Sequence, residues 1–452
     1  MTPSPSTTSK TLRNAAAGGA ILSIGAALVG PVSPADAANF EVTNANDAGA
    51  GSLRQAVEDA NLAAGADTIT FAPGLGTITL ATEIVIDDEL TITGPATISG
   101  GGVTRIFTID EPTTLVGLTL TDGSASSGGA IESDADLTIQ DSLITGNEAT
   151  DGSGGGLYAE GGSFVRILDS TFSDNTATDD GGGAKVHLDD EELTIVGSSF
   201  LNNDSGDYGG GLASTHNYDV TIDTSTFSGN TASETGGGIH IHQHSETSFS
   251  LTSSTLSGNE AGTYGGGAFV YDAGYATLAH NTITGNTANY GGGAWIEDTS
   301  TTTIDHTIIA GNTANDDFDD LGLEDNDDPV ALTYSLFGEA PDPAQVDDVV
   351  GNQFGVDPLL GPLADNGGAT LTHALLPGSP AIDAGDPAIA APPSGDQRGL
   401  ARVVGAGIDI GAFEVQAPVT PPVTPPVTPP VTPPATPPGG AVPVVTNPNF
   451  TG

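Results

Sequence analysis

The sequence predicts an all-β solenoid, a single-stranded parallel β-helix closed at its start by a short helix, and three observations predict it. Asn147, Asn175, Asn203, Asn230, Asn259, Asn286 and Asn312 recur at steps of 28, 28, 27, 29, 27 and 26 residues. Glycine triplets centred on Gly155, Gly182, Gly210, Gly237, Gly266 and Gly292 follow the first six of them. Each unit also carries three short runs of period two, as in Ser225–Ser228, Ile239–His242 and Phe249–Thr252, and none holds ten residues of helical periodicity. A repeat of this length without helices sets aside the leucine-rich, ankyrin and tetratricopeptide solenoids. Three strands and three turns make one coil, and coils pair in parallel about 4.8 Å apart. Parallel crossovers are right-handed as a rule, so the helix is expected to be right-handed.

Taken in order, residues 1–37 read as a signal peptide. Lys10 and Arg13 form a basic start, Ala15 to Val29 is small and apolar, and Ala35-Asp36-Ala37 offers a cleavage site. Residues 38–129 hold the N-terminal cap and irregular first coils. Ser52 is placed to cap a helix, with Gln55 three residues on and Leu53, Ala56, Val57 and Ala60 as its apolar stripe. Such a helix would cover the open end of the first coil, whose edge and interior are otherwise bare.

Residues 130–314 are the regular array. Leu157, Ala184, Leu212, Ile239, Ala268 and Ala294 should form one inward row, and Ala159, Val186, Ser214, Ile241, Val270 and Ile296 the next. Phe172, Phe200, Phe227, Leu256 and Ile283 should form a third. The triplets fit corners of positive φ with no room for a Cβ, and the asparagines fit turns, where they bond to backbone and tolerate left-handed dihedrals. Residues 315–414 open on an acidic loop expected to interrupt the array, followed by turn-rich C-terminal coils. Residues 415–440 are a proline-rich linker, whose P-V-T-P-P units at 418–438 make a stiff spacer of roughly 65 Å, and residues 441–452 a tail. Neither carries an apolar span, so no transmembrane anchor is expected.

Composition narrows the partners. Eight Lys plus Arg stand against 58 Asp plus Glu, a formal charge of -50, which repels nucleic acid, anionic lipid and acidic polysaccharide. Cations are expected around so acidic a surface. The chain has no cysteine, which removes disulfides, thiolate chemistry and cysteine metal sites.

Several segments together resemble secreted bacterial parallel β-helix surface proteins. The opening F-E-V-T-N-A-N-D-A-G-A-G-S-L-R-Q-A-V-E-D-A-N is similar to their N-terminal region. The pieces D-N-G-G-A-T-L-T-H-A-L-L-P-G-S-P-A-I-D-A-G-D (365–386), D-Q-R-G (396–399) and D-I-G-A-F-E (409–414) resemble the choice-of-anchor Q domain. The G-N-x-A and G-G-G units are similar to polymorphic outer-membrane-protein repeats, without that family's C-terminal β-barrel. The resemblance covers about residues 39–414 and implies a surface protein with a C-terminal region involved in display; it brings no catalytic residues. Asp383, Asp386, Asp396, Arg398, Asp409 and Glu414 could bind one another or an ion; the plainer account is buried salt bridges and turn caps that close the last coils.

The outward rows hold the candidate contacts. Tyr158, Lys185, Ala213, His240, Phe269 and Trp295 form one row; Glu160, His187, Thr215, His242, Tyr271 and Glu297 form the next. Exposed aromatic faces on a rigid sheet stack on sugar rings while acids bond hydroxyls. This makes Tyr158, His240, His242, Phe269, Tyr271, Trp295 and Glu297 candidates for carbohydrate contact. Cross-coil packing beneath turns is the plainer account of the same rows. His240, His242 and His244 alternate, with Lys185 and His187 one or two coils away. Two imidazoles about 7 Å apart on one strand do not alone make a tetrahedral site, so an exposed polar face is the expectation there.

Calcium is the cofactor the acids could take. Asp179, Asp180, Asp204 and Asp207 precede triplets, and Asp316, Asp317, Asp319 and Asp320 lie in the acidic stretch, although no EF-hand-like loop is present. A glycosidase would need a defined carboxylate pair, and Asp189, Asp190, Glu191 and Glu192 single none out. A uronate lyase would need basic groups, and only Arg105, Arg166 and Lys185 fall in the central array. The expected role is therefore an exported, extracellular or cell-surface binding and structural protein, adhesin-like, with an extracellular glycan or surface protein as partner. A hydrolase or lyase on a neutral polysaccharide, and a passive calcium-stabilised spacer, are the alternatives.

Overall fold

A computed structural model describes residues 37–188, 191–244, 246–389, 392–416 and 440. The segment 1–36 and nearly all of the proline-rich spacer and tail lie outside the described residues. The chain divides into two units, Met1–Val415 and Gln416–Gly452, and every element described below lies in the first.

Helix α1 (Leu53–Ala60) forms where the cap was expected. The Ser52 hydroxyl accepts the Gln55 N–H at 3.2 Å, and Leu53, Ala56, Val57 and Ala60 are buried against the first strands. Beyond it the chain winds as a parallel β-helix. Each regular coil has four strands rather than three, as in Leu212–Thr215, Asp219–Asp223, Thr226–Ser228 and Thr231–Ala232. The extra strand follows the repeated asparagine and is two residues long in most coils, too short to show a period; only Thr287–Tyr290 and Thr313–Asp317 are longer. The strands stack into a 10-stranded sheet, an 8-stranded sheet of these short strands, and a broad 23-stranded sheet that takes two strands per coil.

All three inward rows are buried in one continuous core. Phe172, Phe200 and Phe227 stack with ring centroids 5.0 and 4.7 Å apart. No coil could bury these side chains alone. Each contributes on the order of 1.5–3 kcal/mol only once its neighbours cover it.

Two polar ladders hold the corners. At one corner the asparagine side chains run through the interior: Asn203 donates its backbone N–H and Nδ2 to Asn230 Oδ1 at 3.0 and 2.9 Å, and Asn230 treats Asn259 likewise. The asparagines themselves are not left-handed. Positive φ falls on the preceding residue, whether Gly229 (67°), Asp174 (55°) or Asn202 (53°), and this aims the asparagine inward. At a second corner Ser142, Ser170, Ser198, Ser225, Ser254, Asn281, Thr307 and Ser335 form the same device, each oxygen accepting the N–H of the coil before. Two such ladders satisfy buried backbone donors that the turns leave over.

The acidic stretch does not interrupt the stack. Thr313 pairs with Thr287, and Leu321, Gly322, Leu323 and Glu324 pair with Ala294, Trp295, Ile296 and Glu297. Alternation of Leu321 and Leu323 with outward residues keeps the period, while the charges occupy the turns. Asp320 ends the asparagine ladder: its Oδ1 accepts Asn312 N–H and Nδ2 at 3.2 and 2.9 Å, and its Oδ2 accepts the Glu339 N–H at 2.6 Å.

After Phe354 the chain turns back along the outside of the broad sheet, so the C-terminal segment covers a flank of the coils instead of closing their end. Gln397 Nε2 donates to Thr226 Oγ1 at 2.9 Å, Ser257 bonds His373 at 2.9 Å, and Ala412 N–H donates to Thr282 Oγ1 at 3.0 Å. Its acids serve the fold, as their plainer account had it. Asp396 pairs with Arg398 at 2.5 Å, and Arg398 lies 3.6 Å over the Phe413 ring. Glu414 accepts the Val404 and Asp409 N–H groups at 2.9 Å each. Burial pushes Glu414 up to about 7 despite those bonds.

Candidate functional site

The outer face of the 10-stranded sheet carries the candidate site. Tyr158, Lys185, Ala213, His240, Phe269, Trp295 and Gly322 lie in one register row, and Glu160, His187, Thr215, His242, Tyr271, Glu297 and Glu324 in the next. The first row is not the exposed aromatic face expected. His240, Phe269 and Trp295 are only 6, 7 and 4% exposed.

What covers them is the turn ahead of each glycine triplet, where Tyr208, Thr235, Tyr264 and Tyr290 bridge in series from coil to coil. Tyr208 stacks on His240 with centroids 4.9 Å apart, and Tyr264 lies 4.7 Å from Trp295. The indole has space because the next coil offers Gly322, where a Cβ would sit 2.1 Å from Trp295 Cε3. Sequence reading placed Tyr290 near Trp295 but missed Tyr208, Thr235 and Tyr264, although Tyr-Gly-Gly-Gly at 208, 264 and 290 was a usable signal.

Between this turn ridge and the second outward row runs an open groove of about 670 Å³. Tyr208, Tyr264, Phe269 and Tyr271 supply aromatic surface; Asp180, Glu234 and Glu297 supply carboxylates; Lys185, His240 and His242 supply nitrogen. Trp295 lies beneath and donates its Nε1–H to Glu297 Oε2 at 3.1 Å. Burial raises the Glu297 pKa, and nearby Glu324, Asp298 and Asp325 add to the rise against that bond. His240 is held neutral. Burial first, then Lys185 and His242, brings it down to about 3, and its Nδ1 lies 2.7 Å from Thr235 Oγ1. Lys185 is bound to Asp180 at 2.8 Å.

The structure thus gathers His240, His242, Phe269, Tyr271, Trp295 and Glu297 along one groove. Tyr158 is not among them: it lies three coils from His240 and is bonded to Glu160 at 2.8 Å. Among the described residues the calcium candidates do not bring three ligand oxygens together. Asp179 and Asp204 are exposed, Asp180 serves Lys185, and Asp207 has its pKa raised by burial and by Glu234, Asp180 and Asp179. Asp316 bonds Tyr290, Asp317 accepts the Phe318 N–H at 3.0 Å, and Asp319 accepts the Ala314 N–H at 2.7 Å. Asp319 and Asp320 do share a second cavity, about 450 Å³, with Glu339 and Asp357. Asp320 is committed to the ladder, and that cavity has no aromatic wall.

Among the described residues only His280, Asp305 and His306 bring three ligand atoms within 4.8 Å. They fit a cation poorly. Arg402 Nη2 lies 2.8 Å from His280 Nδ1, and His306 Nε2 accepts the Asp386 N–H at 2.8 Å. Of the enzyme candidates, Asp189 and Asp190 lie outside the described residues, and Glu192 is 3.8 Å from Arg166. Arg105 pairs with Glu83 at 2.9 Å and with Glu132.

This coil geometry defines a right-handed parallel β-helix, and residues 96–288 match the family of the right-handed beta helix region. No curated protein matches the chain. Among the described residues no helix is long and apolar enough to cross a membrane.

Proposed function

We propose that this protein is an exported, extracellular or cell-surface binding protein, adhesin-like, whose rigid β-helix offers the Tyr264–Tyr271 groove to a neutral glycan. The observation that carries this reading is the juxtaposition of tyrosine faces with the Glu234 and Glu297 carboxylates on one preorganised sheet. Aromatic surface takes the apolar faces of sugar rings, and carboxylates accept from hydroxyls. Little ordering is required on binding, because strands rather than loops hold the second row. The acidic surroundings, with Lys185 already paired, favour an uncharged polymer over a uronate. The N-terminal leader and the resemblance to surface proteins support export and display. Calcium enters as a counter-ion that damps self-repulsion.

The test is binding of the full chain to an array of neutral and charged glycans, with calcium or with chelator. Selective binding to neutral glycans is expected, weakened about three- to tenfold by Tyr271→Ala or Tyr264→Ala, the worth of one stacked ring. Trp295→Ala is the wrong probe, since it removes the floor and not a contact. Absence of selective binding, or binding indifferent to both tyrosines, refutes the reading. One observation favours hydrolysis as a second reading: Glu297, its pKa raised by burial, has Glu324 as its neighbour on the next coil. Turnover of a bound polymer that is lost in Glu297→Gln would establish it.

A further inference from the structure

Among the described residues no strand of the C-terminal segment joins a coil sheet. Its two antiparallel pairs, Leu360–Ala364 with Thr372–Leu375 and Val403–Val404 with Gly407–Ile408, stand apart. The segment is held by a small apolar cluster, Ile308, Ala310 and Leu336 of the coils against Leu375, Ala381 and Ile410, and by polar contacts. Three of those contacts run through imidazoles. His280 Nδ1 lies 2.8 Å from Arg402 Nη2, His306 Nε2 accepts the Asp386 N–H at 2.8 Å, and His373 Nε2 lies 2.9 Å from Ser257 Oγ. His280 and His306 occupy a left-handed corner, φ 59° and 46°, that Asp169, Gly197, Thr224 and Ser253 fill in earlier coils. The rings come in where the segment offers Arg402 and Asp386.

We propose that the C-terminal segment is a pH-sensitive cover, held on the coils at neutral pH by accepting imidazoles and released from them in mild acid. A backbone N–H and a guanidinium can only donate, so His280 Nδ1 and His306 Nε2 must be bare to accept. His373 gives its Nδ1–H to Gly361 O at 2.7 Å, which leaves Nε2 to accept from the Ser257 hydroxyl. A proton on either of the first two nitrogens sets donor against donor. On His373 it places a charge in a buried site.

The charges around the rings do not offset this. Arg402, His306 and Asp305 face His280; Asp305, His280 and Tyr334 face His306, with the Asp386 carboxylate bonded to Tyr334. Glu414, Asp396, Asp409 and Arg398 surround Arg402 from its own side and leave with it. Burial, then Arg402 and His306, brings His280 down to about 3 against the pull of Asp305. Burial lowers His373 against its bond to Gly361. Lowered values favour docking above about 6.5, and each ring that must stay neutral weakens it about tenfold per pH unit below that. Release bares Thr226, Thr255 and Thr282, now buried. The inference does not rest on the glycan reading.

Hydrogen exchange of the full chain, followed by mass spectrometry and corrected for intrinsic rates, tests the cover between pH 6.5 and 5. Protection of residues 360–375 and 403–414 is expected to fall about 100-fold for two such rings, while Thr171–Ser173 and Leu212–Thr215 stay protected. His280→Asn, which keeps the left-handed corner, and His373→Gln should each flatten that fall about tenfold, and His240→Gln should not. Each protein is compared with itself across pH, so weaker docking at every pH does not imitate the result. Protection that changes by less than about threefold, a loss shared equally by the coils, or a fall unaltered in both variants overturns the proposal.

Discussion

The asparagine ladder is directional, and that gives a sharp prediction at Asn230. Its side chain is fully buried. Oδ1 accepts two bonds from Asn203, at 3.0 and 2.9 Å, while Nδ2 donates to Phe200 O and Asn259 Oδ1, both at 2.9 Å. Asn230→Ala leaves the Asn203 N–H and one Nδ2 hydrogen without acceptors in a dry interior. At about 1–3 kcal/mol for each orphaned group, the loss is roughly 4 kcal/mol. Asn230→Asp is the more telling change, being nearly isosteric. It keeps the accepting oxygen but sets a second oxygen against two acceptors, so it should cost at least as much as alanine. Asp belongs only at the end of the ladder, where Asp320 Oδ2 meets the Glu339 N–H. Asp320→Asn should therefore also destabilise, because its amide would face a donor. Urea unfolding followed by circular dichroism measures the global loss, and hydrogen exchange at the Asn203 amide measures the local one, since a repeat array need not unfold as one unit. An Asn230→Asp protein within 1 kcal/mol of the parent at pH 7 would refute the reasoning.

Acid should weaken the fold through its buried histidines. His240 and His280 are brought down to about 3, the first by burial, Lys185 and His242, the second by burial, Arg402 and His306. A lowered pKa stabilises fully above the unfolded value of about 6.5 and is lost as pH falls toward 3. By pH 4 the loss is about 3 kcal/mol for each, and His240→Gln should flatten its share in urea midpoints taken between pH 6.5 and 4. Glu414, raised to about 7, acts in the opposite sense: its contribution is whole below about 4.5 and lost as pH rises through 7. Trp295 is the sole tryptophan, so its emission reports the covering turn. Gly322→Ala should expel the indole and shift that emission to the red; unchanged emission would show that the ring does not depend on Gly322.

The parts of the fold that repeat locally were legible. The asparagine and triplet spacing, the three inward rows and the Ser52 cap follow from alternation and punctuation within a few residues. The rest depends on what lies across space. A two-residue strand has no period, and the left-handed corner is carried by glycine in some coils but by Asp174 or Asn202 in others. The C-terminal cover joins Gln397 to Ser225 across 172 residues, a contact that no periodicity announces. The site was half legible. Its two outward rows were in correct register, yet their exposure was not, because the turn over them belongs to the same coils.

The three faces of the coil do not have equal freedom. The inward rows repeat because each must match the size of its neighbours above and below, and the two ladders repeat because a donor must find an acceptor in the next coil. On the broad sheet the outward positions Thr226, Thr255 and Thr282 are covered by the C-terminal segment and have bonds to meet there. The outward rows of the 10-stranded sheet obey no such repeat. Tyr158, Lys185, Ala213, His240, Phe269, Trp295 and Gly322 occupy equivalent places yet differ in size, charge and polarity. A position the stack does not constrain, filled with tyrosine, histidine and glutamate under a ridge of tyrosines, is where a rigid scaffold can carry specificity at little cost to its stability. That places the proposed glycan site on this one face, and leaves the other two to hold the rod together.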